Sequence, residues 1–154
     1  MTYSSNESTR KACCQKDSHC IENKENEGTP IVGKVVGFLG AITANSPTRL
    51  PLTTVLFKTP GIKIPQDGGI TVQEDGEYFI SFDGTFIPDD DRVVTFSIYT
   101  PNFSGTALSG AGIATLAELV CLREGDTVYV TVTSNATLIP TTITGILIVA
   151  KVED

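Results

Sequence analysis

The chain has 154 residues, 40% of them hydrophobic, with 14 Gly, 8 Pro, four Cys and no Trp. That is enough for one domain with its own core, and too little cysteine for a disulfide-dense mini-protein. The net charge of −7, from 11 Lys and Arg against 18 Asp and Glu, offers no basic stripe for a phosphate backbone and argues against nucleic acid as a partner.

Residues 1–29 are rich in Ser, Asn, Glu and Lys, with few apolar side chains. Such a segment buries too little surface to offset its ordering entropy and is expected to be a disordered N-terminal arm. Its first twelve residues, MTYSSNESTRKA, hold no apolar run of the signal-peptide kind, so synthesis in a cytosol is expected. The arm carries Cys13, Cys14 and Cys20; the fourth cysteine is Cys121. Adjacent Cα atoms stand about 3.8 Å apart, closer than the roughly 4.4–6.8 Å that disulfides prefer. Cys13 and Cys14 therefore point to different partners.

At Thr29-Pro30-Ile31 apolar residues become dense, and residues 30–154 read as one domain. Short β-like runs follow: Ile31–Ile42, Thr54–Lys58, Gly69–Val72, Glu77–Phe86, Val93–Tyr99, Ala114–Leu122, Thr127–Thr133 and Thr142–Val152. Several alternate with period two: Tyr78, Ile80 and Phe82; Val94, Phe96 and Ile98; Val128, Val130 and Val132; Ile146, Ile148, Ala150 and Val152. Turn residues separate them at Pro65–Gly69, Glu74–Gly76, Pro88–Asp91 and Arg123–Asp126. Ala111–Leu122 also fits a helical period through Ile113, Leu116, Ala117 and Val120, but its neighbours favour a strand. About eight strands in a domain of this size mean a single antiparallel jelly-roll sandwich, all-β. The longest apolar run, Ile146 to Ala150, falls far short of the ~20 residues of a membrane-spanning helix.

Few residues invite site chemistry. Cys13, Cys14, His19 and Cys20 contain the donor types of a zinc site, but ligands adjacent in sequence wrap an ion poorly. Asp89-Asp90-Asp91 lacks the spacing of a calcium loop and reads as a solvated turn. The tripeptides at Asn6, Asn102 and Asn135 match glycosylation acceptors that are common by chance. His19 is the sole histidine, and a mobile imidazole makes a poor oriented base. No metal, cofactor or enzyme activity is expected. Cys121, between Val120 and Leu122, suits either a small buried apolar role or a disulfide acceptor.

Ile70-Thr71-Val72, followed by Gly76, Tyr78, Ile80 and Phe82, resembles the central signature of TNF-like and complement globular-head jelly rolls. Leu119–Thr133 (LVCLREGDTVYVTVT) resembles the strand, Gly-Asp turn and strand that follow in those domains. Thr144–Val152 is similar to the terminal strand of the bacterial branch, which includes the C-terminal domain of the spore-surface glycoprotein BclA. The Cys-Cys arm ahead of a small β domain resembles endospore appendage (Ena) pilus subunits, although the collagen-like repeats typical of BclA are absent.

These resemblances imply a structural, self-assembling subunit of a spore surface layer (the exosporium) or an appendage fibre. It would be made in the mother-cell cytosol without a signal peptide. Its partners would be identical subunits, as a trimer or a larger ring that stacks into a fibre, together with other spore-surface proteins. Intermolecular disulfides would involve Cys13, Cys14, Cys20 and Cys121. Cys13–Thr29 extends to roughly 56 Å, against a domain diameter on the order of 35 Å, so the arm can reach a neighbour. The recipient stays open between Cys121 of a neighbour, its arm, or both, and pairing within one chain remains the competing reading. Outer-face residues such as Phe79, Val93 and Val149 are expected at the subunit interface. The second functional reading is a trimeric TNF-like module that binds a glycan or receptor. A cupin-type enzyme is disfavoured because residues 30–154 contain no histidine.

Overall fold

A computed structural model describes residues 30–86, 93–108, 112–135 and 143–152. Among the described residues there is no helix. The strands are β1 (Val32–Leu39), β2 (Thr48–Arg49), β3 (Thr54–Lys58), β4 (Ile62–Lys63), β5 (Ile70–Val72) and β6 (Gly76–Phe86). They continue with β7 (Val94–Thr100), β8 (Phe103–Leu108), β9 (Ile113–Leu122), β10 (Thr127–Ser134) and β11 (Ile143–Lys151). Two antiparallel sheets form a jelly-roll sandwich. One is ordered β3-β1-β11-β6-β9; the other is β4-β5-β10-β7-β8, with β2 also paired to β10.

The alternation seen in the sequence decides which side of each strand faces inward. Tyr78, Ile80 and Phe82 from β6 are fully buried, as are Val94 and Phe96 from β7 and Val128, Val130 and Val132 from β10. Phe82 and Phe96 meet across the two sheets with ring centroids 5.3 Å apart at a 48° tilt, the inclined geometry that ring quadrupoles favour. Removing each such side chain from water contributes roughly 1.5–3 kcal/mol.

Space for this aromatic pair comes from a row of small residues. Gly37, Gly145, Gly84 and Ala114 stand opposite one another across β1, β11, β6 and β9, and all four are buried. A Cβ on Gly84 would come within 2.7 Å of the Phe96 ring, and one on Gly145 within 2.5 Å of Leu50 Cδ2. Three strands thus omit a side chain where the opposite layer needs room.

Two differences from the sequence reading have local causes. β2 and β4 are two-residue ladders, held by β10 and β5 respectively rather than by any pattern of their own. β8 was hidden because Pro101-Asn102 and Gly105 read as loop. The dipeptide is instead the tip of a β7–β8 hairpin, in which Thr100 pairs with Phe103 and the Thr100 hydroxyl accepts from Asn102 N at 3.3 Å. The helical option at Ala111–Leu122 is excluded from Ile113 onward, since every residue to Leu122 pairs with β6. Asp89-Asp90-Asp91 lies outside the described residues.

Two expected turns are built as anticipated. Gly68 and Gly69 have φ of 97° and 113°, and Gly68 N donates to Pro65 O at 3.0 Å. The β9–β10 turn closes through Asp126 N to Arg123 O at 2.9 Å, and Arg123 N donates to the Asp126 carboxylate, also at 2.9 Å.

Candidate functional site: the apolar outer face of the five-stranded sheet

A strand that covers a core on one side normally turns polar residues to water on the other. β1, β11, β6 and β9 break this rule. The register lines up Val32, Ala150, Phe79 and Leu119 in one outward row. A second row holds Phe57, Lys34, Ile148, Ser81 and Ala117. Phe38 and Ile113 flank Thr144 and Thr85 in a third. Phe38, Phe57, Phe79, Ile113 and Leu119 are each between 41% and 64% exposed. Single exposed apolar residues are ordinary, whereas five large ones gathered on one sheet face mark a candidate interaction surface.

The charges on the face are sparse. Lys34 and Asp83 occupy neighbouring rows, and Glu77 lies opposite Cys121 at the far end. Glu77 is buried and does not stand free. Beside it, the Tyr78 hydroxyl donates to Glu74 O at 2.7 Å. Burial first, then the negative charges of Glu74 and Asp75, holds this phenol well above the usual tyrosine range. Glu74 in turn pairs with Lys151.

Cys121 belongs to this outer face, alongside Ala117 and Leu119, while Val120 and Leu122 point into the core. It is half-buried and disulfide-bonded. Its sulfur partner is outside the described residues, as are Cys13, Cys14, Cys20 and His19. Among the described residues no three His, Cys, Asp or Glu side chains are grouped to hold a metal ion.

The three residues expected at an interface divide. Phe79 and Val93 are exposed. Val149 is fully buried and has to be corrected: it follows the parity of Leu147 towards the core, and the outward set of β11 is Ile146, Ile148 and Ala150. Phe38, Phe57, Ile113 and Leu119 were not singled out from the sequence. The signal for Phe38, Ile113 and Leu119 is that β1, β9 and β11 are apolar at both parities, which a period-two search for one buried face overlooks; Phe57 belongs to β3, a fully exposed strand of the sheet edge.

No protein-family profile matches the chain, and no curated protein matches it in sequence. Solved structures do match. The PRD1 vertex protein P5 superposes with a TM-score of 0.62 at 14% identity, over 80% of this chain and 99% of that one. The globular domain of zebrafish complement 1qA gives 0.58 at 12% identity, over 77% and 94%. Murine APRIL, crystallised at pH 8.0, gives 0.55 at 15% identity, over 80% and 99%. The fold is similar to the jelly rolls of these three proteins. At such identities the likeness concerns the fold, and the face described above belongs to this chain's own residues.

Proposed function

We propose that this TNF-like domain is a non-enzymatic, self-assembling structural subunit of a bacterial spore surface layer or appendage fibre. Copies pack through the apolar outer face of the five-stranded sheet, and cysteines of the N-terminal segment lock neighbours by disulfides. The observation that carries this reading is the apolar face itself. Phe38, Phe57, Phe79, Ile113 and Leu119 expose hydrophobic surface, interspersed with Lys34, Ser81, Asp83, Thr85 and Thr144, that a second copy would remove from water. Contacts between different patches of identical copies close into rings or continue as filaments.

The covalent part rests on the placement of the cysteines. Cys121 sits on the same face. One partner for Cys121 leaves two of Cys13, Cys14 and Cys20 to be joined elsewhere, and Cys13 and Cys14 are badly placed to join each other. The spore setting rests on the likeness of the Cys13-Cys14 and Cys20 segment to appendage subunits.

The protein should be purified without reductant and compared with Cys13→Ser/Cys14→Ser and Leu119→Asp variants by SDS gel, size-exclusion chromatography and negative-stain microscopy. Reductant-sensitive ladders are expected in the parent and absent from the cysteine variant, while Leu119→Asp shifts the folded protein to monomer. A parent that runs as a monomer with and without reductant overturns the proposal.

A further inference from the structure

The outer face of the other sheet has the opposite character. Every outward position of β10 and β7 is Thr, Ser or Tyr. These side chains stand in register with Ser104 and Thr106 of the exposed edge strand β8. No aliphatic side chain interrupts β10 and β7 on this side; their Val, Ile and Phe residues all point to the core.

Two rows form its centre. In the first, Tyr129, Tyr99 and Ser104 are aligned, and the two tyrosine rings stack with centroids 5.3 Å apart and 24° between planes. In the second, Arg49, Thr131, Ser97 and Thr106 are aligned. The Arg49 guanidinium lies 4.2 Å from the centre of the Tyr129 ring, and one of its Nη atoms donates to Gly68 O at 2.7 Å. Tyr129 is therefore held between a cation and a second ring. Tyr99 is half-buried and has the short side chain of Ser104 opposite it on β8.

The charge is also distinctive. The chain carries −7 overall, yet Arg49 and Lys63 contribute two cations to this face and no outward position of its strands carries a carboxylate. A protein partner is anchored by aliphatic and aromatic side chains pressed into pockets, and the Tyr99–Tyr129 centre of this face, away from Val93 and Leu108 at its end, offers no aliphatic anchor. Rigid tyrosines beside short hydroxyls instead provide stacking area and directional hydrogen bonds at little entropic cost. From β10 to β8 the platform spans about 10 Å, and along β7 about 13 Å, room for more than one sugar ring.

We propose that the outer face of the six-stranded sheet binds an acidic oligosaccharide. A sugar ring stacks on Tyr99, Ser97, Ser104 and Thr106 hydrogen-bond its hydroxyls, and Arg49 and Lys63 attract its carboxylates. This surface lies on the opposite side of the sandwich from the self-assembly face and stays available when copies pack.

The probe is the hexamer of galacturonic acid, titrated into the full chain and followed by amide NMR shifts and by tyrosine emission, which no Trp obscures. Maltohexaose and hexaglutamate serve as the neutral and non-sugar comparisons. Saturable shifts confined to β7, β8 and β10 are expected, with affinity at least tenfold weaker in Tyr99→Leu. Thr106→Glu places a carboxylate on an exposed edge position without touching the core, and is expected to abolish uronate binding while the unfolding midpoint is unchanged. The proposal is overturned if the uronate hexamer gives no shift up to about 10 mM, if hexaglutamate binds as tightly, or if maltohexaose does.

Discussion

Replacing Gly37 by Ala tests the account of how the two sheets come together. Its Cβ would stand 2.2 Å from Pro51 O and 2.9 Å from Leu52 Cα. These are backbone atoms, and the segment they belong to is fixed: Leu50 N donates to Val130 O at 2.8 Å, Gly69 N donates to Leu52 O at 3.0 Å, and Leu50 and Leu52 are fully buried. Nothing nearby can rotate away, so β1 and the β2–β3 connection must separate. Overpacking costs typically 1–3 kcal/mol, and a clash with fixed backbone belongs at the top of that range, about 3 kcal/mol. Gly145→Ala meets Leu50 Cδ2 at 2.5 Å and the Phe82 ring at 2.8 Å, side-chain atoms with some freedom, and is expected to cost about 1–2 kcal/mol. Gly125→Ala is the control, because nothing lies within 4 Å of its Cβ while φ is +93°; left-handed strain alone costs roughly 1–2 kcal/mol. Urea unfolding measures all three, as a shift of midpoint at constant slope. Gly37→Ala should lower the thermal midpoint by roughly 10 °C. A Gly37→Ala protein no less stable than Gly125→Ala would refute the idea that the glycine row sets the sheet separation.

Other substitutions separate folding from assembly. Val149→Asp buries an unpaired charge in the core and should abolish the folded near-ultraviolet signal, whereas Leu119→Asp on the outer face should leave it intact. Phe96→Ala removes one half of the intersheet ring pair and should cost about 3–5 kcal/mol in urea unfolding. Tyr78 binds its proton more tightly when folded than in the unfolded chain, where tyrosine titrates near 10. Its stabilisation is therefore complete below about pH 10 and is lost as pH rises beyond it. Tyr78→Phe should flatten that alkaline loss, while leaving Glu74 O without its donor at a cost of about 0.5–1.5 kcal/mol at neutral pH.

Among the described residues, β9 carries both Cys121 and the apolar Leu119 on the same outer face. Cys121 lies in register with Glu77, and Leu119 with Phe79, so a disulfide at Cys121 is anchored two residues from the centre of the hydrophobic surface. That placement explains why loss of the thiol and loss of the apolar contact are expected to be distinguishable: one changes covalent ladders, the other the size of the particle.

Period-two alternation in β6, β7 and β10 was enough to name Tyr78, Ile80, Phe82, Phe96, Val130 and their neighbours as core, because strand geometry places alternate residues on one face whatever the partner strand. Gly, Asp and Pro marked the turns for an equally local reason: backbone angles there suit those residues. Sequence order, by contrast, says nothing of which strands become neighbours. Only the tertiary structure put β1 against β11 and β11 against β6, and so turned scattered outward residues such as Phe38, Phe79, Ile113 and Leu119 into one surface. The same holds for Arg49, Tyr129 and Tyr99, distant along the chain and stacked on the other sheet. Val149 shows the limit of pattern reading: in a strand that is apolar at both parities, the side facing the core is chosen by the register with β1 and β6, a long-range decision that no local period records.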